Sequence, residues 1–263
     1  MFKLLRMDMH RLPKGMAFKM IIILLIADMT LTAVSFWFLL SHAPSGMDLA
    51  ALGLPSDDLS LPMLVKLTAG ALGDVALYLA IYVVLFANGD FSTGFIKTVA
   101  GQVKNRRLLA WSKFITIAVY TIGYMLLYML VITVECRILF GGFGIEDAGR
   151  FAAYLFMELY MYLAMTIMIT SIVLIIRSTL VGMICGIVIA TGLLSTILGL
   201  INLLIKKMEI DIDITEYTVT GCIKGANFDQ PLSDYTKPVI VCTVYIVLSI
   251  IGTLISHTKR DIA

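Results

Sequence analysis

A chain of 263 residues that is 60% hydrophobic and only 14% charged, with a mean hydropathy of +0.96, is too apolar for an ordinary soluble domain, of which roughly a quarter is charged. Lipid cannot hydrogen-bond a free backbone, so its spans are helices or a closed barrel. A barrel would show alternating segments of about ten residues, and long unbroken apolar runs stand here instead. The net charge of +2 is the small remainder of two opposite populations at opposite span ends, and it points to no nucleic-acid partner.

In chain order, Phe2 to Lys14 is a short amphipathic lead, expected as an interfacial helix within residues 1–17. Its basic-then-apolar order resembles a signal peptide, but the apolar run is too long, which predicts a retained first span. Six stretches are long enough to cross about 30 Å of hydrocarbon: Met20 to Leu40, Leu61 to Ala87, Leu108 to Val134, Phe151 to Ile176, Thr179 to Ile205, and Pro238 to Ser256. The expected fold is all-α, a polytopic membrane protein with six transmembrane helices in one domain. Pro44, Pro55 and Pro62 punctuate the first connection, and Gly141, Gly142 and Gly144 the third. Only Arg177 and Ser178 separate the fourth and fifth spans.

Lysine and arginine near span ends set the expected orientation. Lys3, Arg6, Arg11, Lys14 and Lys19 precede span one, Lys97, Lys104, Arg106, Arg107 and Lys113 lie between spans two and three, and Lys259 and Arg260 close the chain. These predict cytosolic termini and a cytosolic segment 88–107. Asp48, Asp57, Asp58, Glu146, Asp147 and the acidic residues of 206–237 fall on the outer side. Glu209 to Ile214 alternates with period two, as a strand or extended cap would. Its spacing is not that of a calcium loop, and a solvated acidic surface is the expectation.

Catalytic signatures are missing. Gly89 to Thr98 reads GDFSTGFIKT, but a phosphate-binding loop needs lysine directly after its second glycine, where Phe95 and Ile96 stand. There is no HExxH and no serine nucleophile elbow, and His10, His42 and His257 are scattered. The expectation is no catalytic residue, no metal and no cofactor of the chain's own, so that ATP, if used, is bound by another polypeptide. Phe91, Phe95, Val99 and Val103 recur every four residues with Lys97, Lys104 and Arg106 beside them. On a helix this is one apolar face with a basic flank, suited to a groove on a partner or to the headgroups.

With Asp90, Gly94, Lys97 and the pair Arg106 and Arg107 before span three, and the tail Lys259-Arg260-Asp261-Ile262, the chain resembles the ABC-2 type permeases, particularly small bacterial ones linked to peptide export and self-protection against antimicrobial peptides. The resemblance implies a cell-membrane permease subunit coupled through Asp90, Phe91, Gly94, Phe95, Lys97, Val99, Arg106 and Arg107 to a cytosolic ABC ATPase that binds ATP and Mg. It also implies a second permease subunit, identical or related, and export of a hydrophobic or amphipathic substrate such as a peptide. The family's short membrane-dipping helices between spans five and six are a point of departure, given the alternation at 209–214.

Within the spans, Asp28 and Asp74 fall near span centres and Glu135 and Glu158 toward the outer half. Such groups face a bundle interior or a wet cavity, as path-lining residues or as buried hydrogen-bonding ones, with Tyr78 or Tyr82 as neighbours. An alternative function follows from them: a proton- or ion-coupled carrier in which the four titrate. A non-transporting scaffold or sensor is the third reading. Gly182 and Gly186 have the spacing that lets membrane helices approach closely, and the resemblance implies that spans one and five line the contact between two subunits. Met157, Met161, Met165 and Met168 form a flexible stripe, either core packing or an adaptable apolar wall. Cys136, Cys185, Cys222 and Cys242 lack CxxC spacing and are expected as small apolar fillers, with a Cys136–Cys222 pairing disfavoured.

Overall fold

The computed structural model describes residues 2–42, 60–71, 74–92, 107–142, 144–145, 147–206, 213–228 and 230–259. Among these every regular element is a helix. The elements are α1 (Phe2–Arg11), α2 (Met16–His42), α3 (Leu61–Val65) running into a π-helical stretch (Lys66–Ala71), α4 (Asp74–Ser92), α5 (Arg107–Leu139), α6 (Ala148–Ile176), α7 (Thr179–Ala190), α8 (Leu193–Lys206), α9 (Val219–Gly225) and α10 (Thr236–Lys259), with single 3-10 turns at Ile214–Tyr217 and Leu232–Tyr235.

Four helices are long and apolar enough to cross a membrane, at Met16–Leu39, Leu108–Leu139, Ala148–Ile176 and Ser233–Ser256. The total rises to six if each of two bent pairs is one span. The chain is thus a multi-pass helical membrane protein in character. The second and fifth expected spans are not single straight helices: α3 and its π stretch bend 47° from α4, and α7 bends 54° from α8. In the fifth, Thr191 and Gly192 interrupt the apolar run, and Gly192 takes the left-handed φ of +67° that a residue with a side chain rarely adopts.

α6 is the most enclosed span, packing on α10, α5, α4 and α7, while α2 and α10 are peripheral. Asp147 starts α6 by accepting from the backbone N–H groups of Gly149 (2.9 Å) and Arg150 (3.1 Å). Arg177 ends it in the left-handed region at φ 58°, its N–H bonded to Val173 O at 2.8 Å. The break between α6 and α7 therefore falls at Arg177 and Ser178, where the sequence places the boundary between the expected fourth and fifth spans.

α1 does more than rest in headgroups, since it packs along α5. Asp8 is buried against the start of α5, where Lys113 donates to it at 3.1 Å and Ser112 at 2.6 Å. Ile250 and Leu254, near the end of α10, pack against Ala110 and Phe114 in the same turns of α5. Both ends of the chain thus meet one end of the bundle.

In the region between α8 and α10, residues 207–212 lie outside the described residues. At the end of the alternating run Asp213 has extended backbone, and the run gives way at Ile214, which begins a 3-10 turn. Asp213 caps that turn by accepting from Thr215 N at 3.0 Å, and Asn202 on α8 accepts from Ile214 N at 3.0 Å. Local side-chain acceptors thus satisfy the donors a strand would have paired.

Candidate functional site

Of the residues expected to couple to an ATPase, Gly94, Phe95, Lys97, Val99 and Arg106 lie outside the described residues. The backbone of Asp90 lies in the last turn of α4 and that of Arg107 begins α5. Phe91 is placed with its side chain. It packs with Ala110, Phe114 and Leu174, and the Arg177 guanidinium lies 5.5 Å from its ring centroid. One turn earlier, Asn88 donates to the Thr179 hydroxyl at the start of α7. The last turn of α4 is therefore held to both sides of the α6–α7 joint and to the first turns of α5. Phe86 receives the Lys113 ammonium 4.4 Å above its ring, linking the same corner to Asp8 and α1.

The break before α4 forms the second locus. A helix end leaves its last carbonyls without the N–H groups four residues ahead. In a span these must be satisfied by neighbouring helices or by side chains. Tyr162 on α6 does so for Ala69 O, donating at 2.6 Å, while Tyr124 on α5 adds a bond at 3.2 Å to Val75 O in the first turn of α4. The Tyr128 hydroxyl bonds to that of Thr68 at 2.7 Å and lies 3.4 Å from Val65 O. Tyr120, Tyr124 and Tyr128 recur every four residues along α5, as do Tyr154, Glu158 and Tyr162 along α6. That spacing was the available signal for a polar seam.

The four carboxylates separate into groups. Asp74, near the middle of the bent pair if that pair is one span, opens α4 at the break, where the helix dipole favours a negative charge. It feels the charge of half-buried Asp28 on α2, and Tyr78 lies beside both. Glu135 accepts from Thr30 of α2 at 2.7 Å. Glu158 stands apart, 1% exposed, with Tyr154 donating to Oε1 at 3.4 Å and no hydrogen-bond partner for Oε2. Among the described residues no cluster of three or more His, Cys, Asp or Glu suits a metal ion.

Gly182 and Gly186 serve packing within the chain. A Cβ at Gly182 would lie 3.0 Å from Val173 and 3.2 Å from Val84, and one at Gly186 would lie 3.1 Å from Val84. Their face is filled by α4 and α6, which leaves it no room for the second copy that the resemblance implied. The methionine stripe divides in the same way, with Met161 and Met165 fully enclosed and Met157 and Met168 at the edge of the core.

No family model and no curated protein matches this chain. Its chemistry is thus read from its own side chains. All four cysteines are free, and Cys136 donates instead to Gly142 O at 3.1 Å. Cys222 on α9 donates to Glu216 O at 3.3 Å, and the neighbouring Cys242 thiol draws the Cys222 thiol below its usual pKa. Two further residues escaped the sequence reading. Asp8 is the lone acid among the bases of the lead segment, a signal that it has a cationic partner. Lys224 on α9 reaches the α7–α8 bend and donates to Thr191 O at 3.2 Å, covering a carbonyl the bend leaves open.

Proposed function

We propose that this chain is the membrane subunit of an ABC-type exporter in a bacterial cell membrane, with six crossings and both termini in the cytosol. ATP, with Mg, is hydrolysed by a separate cytosolic subunit that docks on segment 88–107. The permease works with a second copy or a related partner and moves a hydrophobic or amphipathic substrate, a peptide in the favoured case, out of the cell. The observation that carries this reading is the clamp around Phe91. Phe91, in the last turn of α4, is joined to α5 and to the end of α6 through Phe114, Leu174 and Arg177, so a displacement of the end of α4 is shared with both helices.

The test is a tagged full-length chain recovered from membranes. An ATP-hydrolysing subunit comes with it, and joint replacement of Gly94, Phe95 and Lys97 releases that subunit. Recovery with no ATPase, in membranes where transport is measured, counts against the proposal.

One observation favours a second reading, a proton-coupled carrier: the enclosed Glu158 carboxyl, with its unpartnered oxygen next to Tyr154. Under that reading, flux continues without ATP and stops when the proton gradient is collapsed.

A further inference from the structure

A cavity of about 330 Å³ lies between α1, the first turns of α2 and the middle of α5. Its walls are apolar, among them Met9, Leu12, Phe18, Ile22 and Leu127. It opens sideways through Val119 and Gly123, which are exposed on the flank of a spanning helix, so an occupant enters from the hydrocarbon and not from water. The stretch of α5 from Val119 to Leu127 that lines it rises about 12 Å, a length suited to part of an acyl chain.

Two polar features stand at this otherwise apolar site. Tyr120 lines the cavity, is 5% exposed, and carries a buried hydroxyl without a hydrogen-bond partner, although a buried tyrosine usually has one. Next to the cavity residues Met9 and Pro13 stand His10 and Lys14, whose side chains lie 2.7 Å apart, and Arg11 lines the adjoining cavity across Leu12 and Phe18. Asp8 is paired inward with Lys113, so it does not cancel His10 and Lys14. The slot is therefore apolar apart from the unpartnered Tyr120 hydroxyl in its wall, and the segment that covers it carries the exposed bases His10 and Lys14 beside the lining residues Met9 and Pro13.

We infer that this cavity binds one anionic phospholipid of the surrounding bilayer, with an acyl chain between α2 and α5, an ester carbonyl accepting from the Tyr120 hydroxyl, and the phosphate beside His10 and Lys14. Basic pockets between membrane helices select anionic head groups in this way. The site is separate from the Phe91 clamp, and it holds whether or not an ATPase drives the protein.

The test uses the full-length chain in detergent, with palmitoyl-oleoyl phosphatidylglycerol or phosphatidylcholine added and retained lipid counted by native mass spectrometry. The wild type retains one phosphatidylglycerol in preference to phosphatidylcholine. Gly123→Leu loses that lipid, because the leucine fills the slot. A Cβ at this position meets nothing within 4 Å, so the variant folds and melts in detergent alone at or above the wild-type temperature. Tyr120→Phe weakens retention about two- to tenfold, the value of one hydrogen bond. Lys14→Gln removes the preference between the two lipids. Retention of phosphatidylglycerol by Gly123→Leu at the wild-type level overturns the site, and equal retention of phosphatidylcholine by the wild type overturns its anionic selectivity.

Discussion

Asp8 and Lys113 show what a single buried pair does in a chain with few charges. Their side chains are 4% and 8% exposed, so each charge is removed from water and depends on the other and on Ser112. Removing one partner of such a pair typically costs about 3–5 kcal/mol, because the remaining charge stays buried. Asp8→Ala is therefore expected to lower the thermal midpoint in detergent and to expose α1 to proteolysis. The double variant Asp8→Leu with Lys113→Met recovers most of the loss. The residue types at this corner were legible as a basic lead with one acid, but the identity of the partner was not. That partner lies 105 residues away in sequence, and no local pattern joins the two.

Gly186 offers a second test at this scale. Its Cβ position lies 3.1 Å from Val84, and larger side chains in a filled contact typically cost about 1–3 kcal/mol. Gly186→Leu should lower the melting temperature of the isolated chain, and Val84→Ala should restore part of it. A loss confined to subunit association, with the single chain unaffected, would return this face to the inter-subunit role.

At the scale of elements, apolar length was readable and continuity was not. The runs from Leu61 and from Thr179 are long enough to cross, yet both bend, because glycine and threonine weaken a span without making it polar. Whether such a helix breaks depends on donors and acceptors from elsewhere: Tyr162 for the first bend and Lys224 for the second. Deleting the phenolic hydroxyl of Tyr162 leaves Ala69 O without that donor, at a cost of about 1–3 kcal/mol. Tyr162→Phe should thus raise amide hydrogen exchange in residues 66–71 before it changes exchange in α5 or α10. Of the run 209–214 only Asp213 and Ile214 are described, and the extended backbone expected there holds at Asp213 and ends at Ile214 for a related reason. Period-two alternation is a weak signal over six residues, and Asp213 and Asn202 offer Ile214 and Thr215 local acceptors.

For the whole molecule, the membrane character follows from composition, and four to six candidate crossings bracket the expected number. The two sides can be assigned by labelling. A cysteine at Gly94 is expected to react only from the cytosol, and one at Tyr217, which is 51% exposed, only from outside. Among the native thiols Cys136, Cys222 and Cys242 are buried, so Cys185 is the one to replace first. Reaction of both probes from the same side would remove the basis for the proposed coupling. Phe91→Ala distinguishes docking from transmission. The ATPase subunit should still be recovered with the variant, while ATP-dependent flux falls, because the ring that joins α4 to Leu174 and Arg177 is lost.

The tyrosine contacts around the first bend bear on how the protein would move. Tyr124 reaches a carbonyl in the first turn of α4 and Tyr162 one in the π stretch, each from a different helix. The two arms of the bend are thus moored to α5 and α6 separately, so that any sliding of those two helices past each other would pull on the arms unequally.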